Sequence, residues 1–111
     1  MRGRRSIGGL RHRMTVEEPV EAEDGSGGRT RSWAPYDTVW AALTPLSGGQ
    51  EVTAGGRQMR LTHRLRLRYR GDLGAHMRFR LGARIFEIAA LYDETEERRW
   101  LLCLCEEGEG A

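Results

Sequence analysis

The side chains able to do chemistry are few and scattered. Three histidines, His12, His63 and His76, fall in three separate segments. Catalysis needs convergent groups, such as a nucleophile beside a base or ligands at workable spacing. His12 and His63 sit in arginine-rich runs, which suits a solvated or hydrogen-bonding imidazole better than a general base. Cys103 and Cys105 are two residues apart, so on a strand they share a face and make a poor disulfide. With no second thiol pair and no adjacent histidine they do not form a zinc site, and they read as small buried hydrophobes. Gly25-Ser26-Gly27-Gly28 is glycine-rich but lacks the Lys-Ser/Thr of a phosphate loop. The acidic run Asp93–Glu97 reads as a solvated hairpin tip. These residues argue against an enzyme, and against a bound metal or other cofactor.

The arginines carry more information. Leu61, Leu65, Leu67 and Tyr69 alternate with Arg64, Arg66, Arg68 and Arg70. A period of two predicts a strand with one buried and one wet face. Met77, Phe79 and Leu81 alternate with Arg78 and Arg80 in the same way. The six arginines therefore form a candidate basic stripe, able to meet nucleic acid or the carboxylates of a partner. Small barrels bind single strands through such faces, but normally with exposed aromatics interleaved, and Tyr69 and Phe79 fall on the apolar side. Glu87, or a partner subunit, is the alternative destination for these charges.

The elements that must position these groups read as strands almost throughout. Leu10 to Val20 is predicted as the first strand, stopped by Pro19. Glu21 to Ser32 holds glycine and charge with no apolar residue beyond Ala22, which predicts a long flexible loop. Pro35 breaks order, and Thr38 to Leu46 forms the next strand. Ser47 followed by Gln50 fits a capping box, so a short helix is expected from about Gly49 to Arg57, weakened by Gly55-Gly56. Strands follow at residues 60–70, 77–81, 84–92 and 98–106, with Phe86, Ile88 and Ala90 predicted to face inward on the third of these. The last strand is apolar on both faces, with Trp100, Leu102 and Leu104 opposite Leu101, Cys103 and Cys105. That pattern predicts cover on both sides or a subunit contact.

The fold expected is all-β: a small antiparallel barrel or sandwich of about six strands, one short helix and a long loop. At 111 residues the chain is one domain, with residues 10–106 as the barrel, 1–9 as a flexible basic arm and 107–111 as a disordered tail. The net charge of +2 is weak for a nucleic-acid binder. All the basic side chains other than histidine are arginine. The basic start leads into no apolar segment, so no signal peptide is expected, and no stretch is apolar enough to span a bilayer.

In their order and spacing, several segments together resemble a family. They are Gly9-Leu10-Arg11-His12-Arg13-Met14-Thr15-Val16 with Pro19-Val20, Thr38-Val39-Trp40-Ala41, Pro45-Leu46-Ser47-Gly48, Thr62-His63-Arg64, Met77-Arg78-Phe79 and Arg84-Ile85-Phe86-Glu87-Ile88. The family is that of phage head–tail joining proteins, also called head-closure or stopper proteins, with relatives in gene transfer agents. This chain departs from the pattern after Ser47, where relatives carry a more apolar helix.

The resemblance implies a barrel that assembles as a twelve-fold ring beneath the portal and its adaptor. Such a ring closes the filled head, retains the packaged double-stranded DNA and presents a surface to the tail. Location in the virion at the head–tail interface follows, with assembly in the host cytoplasm and no membrane contact. Glu21, Glu23, Asp24, Gly25, Ser26, Gly27, Gly28 and Arg29 become candidates for a gating or docking loop. Arg64, Arg66, Arg68, Arg70, Arg78 and Arg80 become candidates for a subunit or adaptor interface. The alternative is a small arginine-rich barrel that binds nucleic acid directly.

Overall fold

The computed structural model describes residues 9–109, and within them the chain is β-structure joined by turns. Eight strands follow in order: β1 (His12–Glu23), β2 (Arg29–Pro45), β3 (Glu51–Ala54), β4 (Arg57–Arg60), β5 (His63–Arg68), β6 (Arg78–Leu81), β7 (Arg84–Asp93) and β8 (Trp100–Glu109). Six of them close into an antiparallel barrel in the order β1-β2-β5-β8-β7-β6, and β3 and β4 form a separate hairpin. The seam between β1 and β6 is short, pairing Thr15, Val16 and Glu17 with Arg80, Phe79 and Arg78.

The alternating runs fold as their period requires. Leu65 and Leu67 on β5 and Phe79 on β6 point into the barrel. There they meet Met14, Val16, Ala41, Phe86, Ile88 and Leu101. Cys103 and Cys105 complete this core as free thiols. Burial pushes the Cys103 thiol up to about 12 and raises Cys105 as well, so both are inert as nucleophiles.

Four expectations are corrected. The first is the helix over residues 49–57, which is absent; β3 and β4 pair there as a hairpin, Val52 opposite Met59 and Thr53 opposite Gln58. Gly55 and Gly56 have φ of +60° and +76°, the left-handed pair that a tight hairpin turn demands. This hairpin lies against β7 and β8. Ile85, next to the inward Phe86, is buried as well, so this part of β7 is covered on both sides.

The second correction concerns Pro19 and Pro35, which sit inside strands rather than ending them. β1 leaves β6 after Glu17, and β2 meets β5 only from Ala41. Both prolines therefore lie where the strand has one free edge, the position in which a missing N–H is tolerated. Third, Ala90 is exposed, not inward. A register shift between Ile88 and Ala90 inserts an extra residue, which flips the facing that follows. Leu91 then packs against the core. Fourth, β8 runs on through residues 107–109, where a disordered tail was expected. Glu109 is the register partner of Arg84. The proposed N-terminal arm, apart from Gly9, and residues 110–111 lie outside the described residues.

Candidate functional site

The segment expected to be a long loop is a two-stranded ribbon. Its ladder continues that of the barrel, pairing Glu18 with Ala34, Val20 with Ser32, Ala22 with Thr30 and Glu23 with Arg29. The ribbon projects from the barrel and gives the molecule a long axis of 57 Å against cross-sections of 29 and 28 Å. Glu21, Glu23 and Arg29 are strand residues, and only Asp24 to Gly28 form a turn.

That turn is built rather than loose. The Asp24 Oδ1 accepts the backbone N–H of Ser26 at 2.8 Å and of Gly28 at 3.0 Å. Gly25 and Gly27 take φ of +83° and +86°. On one ribbon face Glu21 bridges Arg29 at 3.4 Å and Arg31 at 3.1 Å. These pairs are solvent-exposed and contribute little to stability.

The six candidate arginines do not form one uniform stripe. On β6, Arg78 and Arg80 both donate through Nε to Glu17, at 2.7 and 2.9 Å. The Arg78 guanidinium also lies 4.2 Å from the Trp33 ring centre. Arg78 and Glu17 are almost wholly buried, their side chains 7% and 9% exposed. Burial alone would raise the Glu17 carboxyl, but the hydrogen bonds from Arg80 and Arg78 and their charges hold it below its ordinary value. This cluster spans the β1–β6 seam, so two candidate interface residues instead hold the barrel closed.

Arg70 is committed as well. It donates to both Asp72 oxygens at 2.8 and 2.7 Å and pairs with Asp37 at 2.8 Å. The Tyr36 hydroxyl donates to the same Asp72 at 2.7 Å. These bonds, Arg70 foremost, hold the Asp72 carboxyl well below its usual range. Arg66 donates to Glu94 at 2.7 Å and stacks 4.0 Å from the centre of the Trp100 ring. Glu94 is thus part of an ion pair and not merely a solvated tip residue. Glu87, considered as a partner for the stripe, is instead taken by Arg57 at 2.7 Å, tying the β3–β4 hairpin to β7. Arg64 and Arg68 have no carboxylate partner among the described residues.

The structure also exposes aromatics that alternation alone did not single out, one of them, Trp40, lining a groove with Arg68. Val39, Ala41 and Leu43 contribute to the core, which turns Trp40 outward, 56% exposed. Tyr92 is 47% exposed.

The histidines remain apart. His63 packs edge-on to Phe86 at 5.2 Å between ring centres, and its Nδ1 lies 2.9 Å from the Thr62 hydroxyl. Burial lowers its pKa, against the opposing charge of Glu107. Among the described residues no three His, Cys, Asp or Glu side chains converge as a metal site would require. What the surface offers is shape, free strand edges and arginine beside aromatic rings, the materials of a protein contact.

Comparison with known proteins fits that material. A family model described as phage head completion protein matches residues 5–108. The chain belongs to this family. It is a virion structural protein by that membership, and its fold is shared with solved relatives. One is a chain of the virion of a native gene transfer agent particle, 30% identical, with a TM-score of 0.64 over 91% of this chain and 97% of that one. Another is a protein from Shigella flexneri 2a solved in solution, 29% identical, with a TM-score of 0.69 over 94% and 97% of the two chains. No curated protein matches.

Proposed function

We propose that this head completion protein is a head–tail connector that acts as a ring. In this reading, barrels docked side by side beneath the portal and its adaptor close the DNA-filled head and offer the tail its platform. The observation that carries it is the match of nearly the whole chain to the head completion family, joined to its 30% identity with a chain of a gene transfer agent virion. The geometry supports it. A barrel sealed by a buried ion cluster suits a rigid ring element, and the projecting ribbon supplies an arm for docking or for narrowing the channel. Residues Glu21 to Arg29 would form the end of that arm. The protein would assemble in the host cytoplasm and remain at the head–tail interface of the particle.

Direct nucleic-acid binding is the weaker reading. Four of the six candidate arginines already hold carboxylates of their own chain, which leaves little charge to neutralise phosphates. Electron microscopy of particles from a producing strain lacking this gene tests the proposal. Tailless heads, empty or leaking DNA, beside separate intact tails are the expected result. Normal tailed and filled particles would overturn it.

A further inference from the structure

We propose that the groove beside Trp40 is the seat for the β1–β2 ribbon of a second copy of this chain. The inference rests on the ring reading above and specifies which two surfaces meet. The groove has a volume of about 230 Å³ and is lined by Leu10, Val39, Trp40, Leu67 and Tyr69 together with Arg68 and Arg70. Arg13, the register partner of Trp40 on β1, and Arg68 both lack a carboxylate among the described residues. Arg70, the other arginine of the groove, is by contrast neutralised twice over by Asp37 and Asp72. The site is thus an apolar groove with uncompensated positive charge. It calls for an apolar side chain accompanied by a carboxylate.

The ribbon carries that combination. On one face Glu18, Val20 and Ala22 follow each other at a period of two, opposite Ala34, Ser32 and Thr30. Val20 is 42% exposed, and Glu18 has no ion-pair partner among the described residues. The other face is different, because its Glu21 is held by Arg29 and Arg31. Beyond Glu17 the outer edge of β1 is also unpaired, and Pro19 on it withholds an N–H, so a contact there would rest on side chains.

Geometry directs the ribbon outward. It extends the long axis of the molecule away from its own barrel, and Glu17 to Glu23 span roughly 20 Å at strand rise. Val20, three residues past the barrel seam, stands roughly 10 Å along that span, within reach of a barrel packed directly beside the ribbon, with Val20 in the groove and Glu18 facing Arg68. A contact of one surface with a different surface on the next copy is heterologous, the type that closes into rings.

The test is assembly of the purified chain, measured by sedimentation, together with crosslinking in purified particles. W40A, E18R and R68E are each expected to weaken self-association at least ten-fold, while the double variant E18R/R68E recovers it. In particles, V20C combined with L10C is expected to give disulfide-linked multimers, since the native Cys103 and Cys105 are buried and do not compete. Rings that persist unchanged in W40A and in both charge variants would overturn this contact and leave the ring reading standing. Normal self-association by W40A with loss of particle incorporation would give the groove to another particle protein, which also overturns it. A wild-type chain that neither self-associates in solution nor crosslinks in particles would overturn both the contact and the ring.

Discussion

Strands β5 and β6 are written in nearly the same pattern, Arg-Leu-Arg-Leu-Arg over 64–68 and Arg-Phe-Arg over 78–80, yet their arginines have different fates. On β6 they converge on one buried carboxylate. On β5 only Arg66 finds an acid, and Arg64 and Arg68 face outward without one among the described residues. The cause lies in the neighbouring strands. Arg78 has Glu17 as its direct register partner on β1. Arg64 lies between Thr44 and Leu104, Arg66 between Ala42 and Leu102, and Arg68 beside Trp100. An alternating basic strand therefore pairs its charges within the fold or leaves them to solvent according to the residues next to it.

The sharpest way to break this comparison is to remove the shared acid. Glu17→Ala leaves Arg78 buried without a counter-charge, and removing one partner of such a pair costs about 3–5 kcal/mol. Urea unfolding should show that loss, and a loss below about 1 kcal/mol would mean water already serves Arg78. The same cluster should respond to acid. Its folded pKa is lowered, so in the acidic window the unfolded chain binds more protons and stability rises with pH. The stabilisation is present above the unfolded value, about 4.5, and is lost as pH falls through the folded value. Glu17→Gln should remove that part of the acid dependence in thermal melts while lowering stability at neutral pH. An unchanged acid limb would place the dependence on other carboxylates.

How much of this was legible in the sequence depended on whether a strand has an inside. Where one face is buried, period two placed the inward residues of β5 and β6 and the inward Phe86 and Ile88 of β7, but not the burial of Arg66 and Arg78 on the face expected to be wet. The resemblance across the chain identified the family that the match over residues 5–108 establishes. The ribbon was not legible because both its faces meet solvent. Glu21 to Ser32 therefore has no apolar period, and its strand character arises from pairing across the turn. The β3–β4 hairpin was hidden for another reason. Ser47 and Gln50 imitate a helix start, while the deciding signal was Gly55-Gly56 between Val52-Thr53 and Gln58-Met59. Ala90 failed because an inserted residue in a ladder leaves no trace in alternation until the partner strand is known. The missing carboxylate partners were illegible too, because sequence distance hides a contact such as Glu17 with Arg78.

An intermediate effect is expected on β5. Arg66→Ala removes a hydrogen bond to Glu94 and a stack on Trp100. A hydrogen bond to a charged group contributes about 1.5–3 kcal/mol, so the midpoint of urea unfolding should fall by less than for Glu17→Ala. A larger fall would make Arg66 a second seal, and the contrast between the strands would then lie between residues and not between walls.

The smallest effect on folding should come from Arg68→Ala. Its guanidinium is 5.6 Å from the Trp100 ring centre and has no carboxylate partner among the described residues, and substitutions at such surface positions usually change stability by no more than about 0.5 kcal/mol. Thermal melting should therefore be nearly unchanged. Beyond that distant ring the charge has no partner among the described residues, so its larger effect should appear in particle assembly. Measuring melting and tail joining on the same variant separates the two. A lowered melting point with normal particles would make Arg68 a folding residue like Arg78. A preserved melting point with defective joining would mean that β5, unlike β6, keeps its outer arginine for another chain.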